Sequence, residues 1–88
     1  MKRVERRLFR INEELDALRR QSEQVEAELN ALRSIHDDAQ RDAALGIDRL
    51  EATATRDDVK RFESALDKLK VRIDLLSARR TILLRRLG

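Results

Sequence analysis

Apolar residues recur along this chain at helical spacing in two long runs. Val4, Leu8, Ile11, Leu15, Leu18, Val25, Leu29 and Leu32 step alternately by four and three, with Ser22 as the one polar step. Continued in phase, the ladder reaches His36, Ala39 and Ala43. A ladder of this length with charged flanks predicts a coiled-coil helix over about residues 3–44. The alternation returns as Phe62, Leu66, Leu69, Ile73, Leu76, Leu83 and Leu87, with Arg80 filling the gap, and predicts a second helix over about 56–87. The second run also carries another stripe, Val71, Leu75, Ala78 and Ile82. At ~100° per residue the two stripes fall on roughly opposite sides of one helix. A helix that is apolar on two sides needs two neighbours.

Between the runs the phase breaks. Gly46 suits the left-handed position that ends a helix, and residues 45–55 are expected to form a loop, with room for one irregular helical turn within 45–54. Thr55 is expected to cap the second helix, with Asp57 and Asp58 at the positive end of its dipole. Two long helices joined in this way fold back on each other. The expected fold class is therefore all-α: an antiparallel two-helix coiled-coil hairpin, one domain over residues 1–88, about 60 Å long at ~1.5 Å per residue. Pairing Leu29 with Leu69, Leu32 with Leu66, Val25 with Ile73 and Ala39 with Val59 matches the two ladders. It sets Ser22 against Leu76 and Leu18 against Arg80. A shift of one heptad, setting Leu29 against Leu76, is the alternative. In either register the start of helix 1 is expected to project beyond helix 2.

Composition agrees with long solvated helices. Charged residues make up 42% of the chain and aromatics 2%, and there is no Pro and no Cys. Without disulfides or thiolate metal sites, a chain of 88 residues has little to hold a core except a partner. No apolar run reaches the ~18–20 residues of a membrane span. The basic start, Met1 to Arg7, lacks the apolar stretch of a secretory signal, so a cytoplasmic location is the expectation.

Charge is segregated. Residues 1–20 hold seven basic and four acidic groups, and residues 79–88 add four arginines and no acid. Folding back brings these segments together as a basic base that includes Lys2, Arg3, Arg6, Arg7, Arg10, Arg79, Arg85 and Arg86. Asp37, Asp38, Asp42, Asp48, Glu51, Asp57 and Asp58 form an acidic tip at the other end. The helix dipole accounts for the arginines that close helix 2 but not for those that open helix 1. Phosphate, an acidic protein surface or an anionic membrane are the chemistries that would use the latter.

Candidate chemistry is sparse. His36 is the only histidine, without the spacing of a zinc site or the pocket of a catalytic base. Asp38 and Asp42, one turn apart, offer at most a weak cation site. Arg80 in the apolar seam reads as a register device or as a side chain that snorkels out. Phe9 and Phe62 are the only aromatics, too few for stacking on single-stranded bases. No Gly-rich phosphate loop is present, and neither a cofactor nor a metal is expected.

The segments His36–Ala44, Asp57–Glu63 and Arg79–Leu87 resemble a group of short bacterial coiled-coil hairpin proteins of unassigned function. That resemblance implies a fold and no activity. In shape alone, an acidic-tipped hairpin is similar to the Gre-type factors that enter the RNA polymerase secondary channel. There the tip acids help hold a catalytic metal; Asp37, Asp38 and Asp42 occupy the corresponding end of this hairpin, and a second domain like that of those factors is not expected within these 88 residues.

The leading expectation is a non-enzymatic module for protein interaction and oligomerisation. It would form a homodimer, a four-helix assembly with helix 2 inside, through Val71, Leu75, Ala78 and Ile82, with Leu84 alongside, and offer its charged ends to a protein partner. A regulator that binds RNA polymerase or the ribosome through the tip or the base is one alternative. Nucleic-acid binding through the basic end is the other.

Overall fold

A computed structural model describes residues 2–46 and 49–87, with backbone alone at positions 2, 43 and 49–52. The chain forms two helices, α1 (Lys2–Ala44) and α2 (Arg49–Leu87), packed antiparallel along their whole length. The molecule is a rod of 66 × 15 × 14 Å. Its accessible surface of 6880 Å² compares with roughly 5400 Å² for a compact monomer of the same mass, so much of the chain stays in water.

The ladders form the seam. Every position of the α1 ladder whose side chain is described, from Val4 to Ala39, is buried or half-buried. Leu15, Leu29 and Leu76 are the most completely enclosed. On α2 the inner stripe is buried or half-buried from Val59 to Leu83, and Leu87, at the open end, is exposed. Leu29, Val59 and Leu66 form the centre of the core, packed by Val25, Leu32 and Phe62.

Three expectations are corrected. First, α2 begins at Arg49, so Thr55 lies inside the helix and the connection shrinks to residues 45–48. Nothing from Arg49 to Thr55 breaks a helix, and Ala52 and Ala54 favour one. Thr55 is buried, and its hydroxyl lies 2.9 Å from His36 Nδ1 across the seam, an interhelical hydrogen bond that a cap at this position would forgo.

Second, the register is one heptad off the expected pairing, in the direction opposite to the alternative. Leu29 packs among Val59, Phe62 and Leu66, not against Leu69. The hydrogen bond between His36 and Thr55, with the ion pairs of Arg33 with Glu63 (3.4 Å) and Arg72 with Glu14 (2.9 Å), fixes the same alignment. The short connection is the physical reason, because it moves the fold-back point to Gly46. Arg80 therefore stands level with Ile11, not Leu18, and Leu15 stands level with Leu76.

Third, the two helices end almost flush, so α1 does not project. With Leu87 level with Val4, the base is built by both helices.

The turn at Gly46 is as expected. Its φ of 83° is left-handed, and the Leu45 amide donates to the carbonyls of Arg41 (3.2 Å) and Asp42 (3.1 Å).

Candidate functional site

Two surfaces stand out. The first is the face of α2 turned away from α1. Val71 is 59% exposed, Leu75 50% and Ile82 51%, with Ala78 exposed between them; Leu84, expected alongside them, is exposed but follows Leu83 round the helix onto the flank of the inner stripe, not onto this face. These are the residues expected to form an interface. They are exposed because one neighbour can cover only one side of a helix. Their flanks are charged: Asp67 and Asp74 along one edge, Arg72, Arg79 and Arg86 along the other. Arg72 is held by Glu14 of α1, with contacts of 2.9 and 3.3 Å. Asp67, Asp74, Arg79 and Arg86 meet no ion-pair partner among the described residues.

The second surface is the open end. Arg3, Arg6, Arg7, Arg10, Arg79, Arg85 and Arg86 are all exposed there. A groove of about 400 Å³ runs between the helix ends, walled by Arg7, Arg10, Arg79 and Arg86 around Ile11, Ile82 and Leu83. A smaller hollow of about 270 Å³ lies among Arg3, Arg6, Arg7 and Arg10. None of these arginines has a carboxylate partner among the described residues. An anionic group entering the groove would meet several guanidinium forks together with an apolar floor. The charges were legible in the sequence; the floor was not, because it depends on both helices ending level.

The tip is more open. Asp37, Asp38, Asp42 and Asp57 are exposed and Asp58 is half-buried, while Asp48 and the side chain of Glu51 lie outside the described residues. Asp38 is paired with Arg41 at 3.5 Å. Among the described residues, no three potential metal ligands converge, and no helix is long and apolar enough to cross a membrane.

Compared with protein-family models, with curated proteins and with solved structures, the chain matches none.

Proposed function

We propose that this chain is a non-enzymatic helical-hairpin module that pairs with a second copy through the outer face of α2 and presents charged ends to other partners. One observation carries the reading: Val71, Leu75 and Ile82 form an aliphatic stripe on the side of α2 that α1 leaves uncovered. A second α2 related by a twofold axis is the simplest closed cover for such a stripe. Each of these side chains is already about half buried, so covering all three on both copies contributes about 5–9 kcal/mol. Association costs ~4–15 kcal/mol, which is of the same size. The pairing is accordingly a concentration-dependent equilibrium and not an obligate assembly.

Sedimentation tests this directly. The wild type should pass from monomer to dimer as its concentration rises, and Leu75→Asp with Ile82→Asp should stay monomeric with its helical content intact. A dimer that survives both charges would overturn the reading.

A second reading, binding of nucleic-acid phosphates by the open end, is favoured by arginines there that lack carboxylate partners among the described residues. Replacing Arg3, Arg6, Arg7 and Arg10 should then weaken duplex binding and reduce the slope of its salt dependence. Absence of binding by the wild type at low salt would remove this reading.

A further inference from the structure

We infer that the two copies pair with their α2 helices parallel, along a twofold axis running down the rod. This orientation rests on the pairing proposed above and adds a direction to it. The stripe Val71, Leu75, Ala78 and Ile82 is spaced four, three, four, so it is the seam of a short coiled coil. Asp67, Asp74 and Thr81 border it on one side, and Arg72, Arg79 and Arg86 on the other.

In a parallel coiled coil each residue on one border meets the residue about five places further on along the opposite border of the other helix. Asp67 then meets Arg72 of the second copy, and Asp74 meets Arg79, each contact occurring twice by symmetry. In an antiparallel coiled coil like borders face each other. Arg72 then meets Arg79 of the second copy, again twice, and Asp74 meets only Thr81. Border charges of this kind set the orientation of coiled-coil partners.

The hairpin leaves these groups ready. Asp67, Asp74 and Arg79 are exposed and meet no ion-pair partner among the described residues. Arg72 is already paired with Glu14 of α1 at 2.9 Å, so it would share its guanidinium between Glu14 and Asp67 of the second copy. The Thr81 hydroxyl donates to the Ser77 carbonyl at 3.1 Å, so it is engaged within its own helix. Ile82 belongs to the seam and also lines the arginine groove. A parallel pair therefore sets two such grooves side by side at one end of the assembly, with both acidic tips at the other.

The chain has no cysteine, so introduced thiols report orientation without interference. Under mild oxidation at a concentration where the wild type sediments as a dimer, Ile82→Cys alone and Val71→Cys alone should each give a covalent dimer. A mixture of the two variants, distinguished by mass, should give almost no mixed species, because those positions lie ~16 Å apart in a parallel pair. A predominantly mixed product would establish the antiparallel arrangement and overturn the inference.

Charge reversal gives a second measurement of opposite sign. Arg79→Asp should raise the dimer dissociation constant about tenfold if the pair is parallel, since it opposes Asp74. If the pair is antiparallel it should tighten the dimer, since it relieves the contact with Arg72. Adding Asp74→Arg to Arg79→Asp should restore the parallel dimer. A wild type that remains monomeric at every concentration would instead defeat the pairing itself, and the orientation with it.

Discussion

Leu75 and Leu76 are neighbours of the same type on the same helix, yet one is 50% exposed and the other 2%. No local propensity separates them. Helical phase puts Leu76 against α1 and turns Leu75 the other way. The inner face is explained by the stability of this chain, because each leucine there replaces water with α1. The outer face is not, because side chains left about half exposed to water add much less to the folded monomer. Hydrophobic character alone therefore identifies surfaces that need cover. Only the count of available neighbours says whether the chain supplies that cover itself.

The two faces should separate most sharply on truncation. At protein concentrations low enough to keep the chain monomeric, Leu76→Ala should cost about 2–5 kcal/mol in urea unfolding, and Leu75→Ala less than ~1 kcal/mol. Equal losses would mean that the outer face is covered within one molecule. Next in size is the polar layer of the inner face. Thr55→Ala removes the partner of His36 Nδ1, and should cost about 1–3 kcal/mol by the same measurement. The turn that makes the inner face possible should be less sensitive. A Cβ at Gly46 would meet no atom within 4 Å, so Gly46→Ala carries only the backbone cost of a left-handed residue, about 1 kcal/mol. The smallest effect belongs to the rim between the faces. Arg72 and Glu14 are nearly half exposed, and a double-mutant cycle on them should return a coupling of ~0.2–1 kcal/mol that falls as salt is added.

The fold was legible because the ladders are long and nearly uninterrupted. Both faces of α2 followed from spacing alone, and Gly46 marked the turn. The register was not legible, since any whole-heptad shift keeps the two apolar ladders facing each other. What distinguishes the true alignment is polar: His36 finds Thr55, Arg33 finds Glu63 and Arg72 finds Glu14. The stretch Thr55 to Asp58, Thr-Arg-Asp-Asp, fits a helix start. The tertiary contact with His36 outweighs that local signal. The basic end was legible as charge, whereas its groove depends on where both helices stop.

Arg80 stands between Leu76 and Leu83 in the inner stripe, and its Nε is buried without a hydrogen-bond partner among the described residues. A layer containing such a group gains little from docking, so it divides the seam into a long segment on the side of the turn and a short one beyond it. The short segment, with Leu83 level with Leu8, is also the part farthest from the turn, where chain closure gives the least help. The rod should accordingly breathe from its arginine-bearing end as a separate cooperative unit. Amide hydrogens beyond Arg80, and those of α1 before Ile11, should exchange through local opening well before those around Leu29 and Leu66. Any ligand that clamps the two helix ends together would slow that exchange without changing the rest of the molecule.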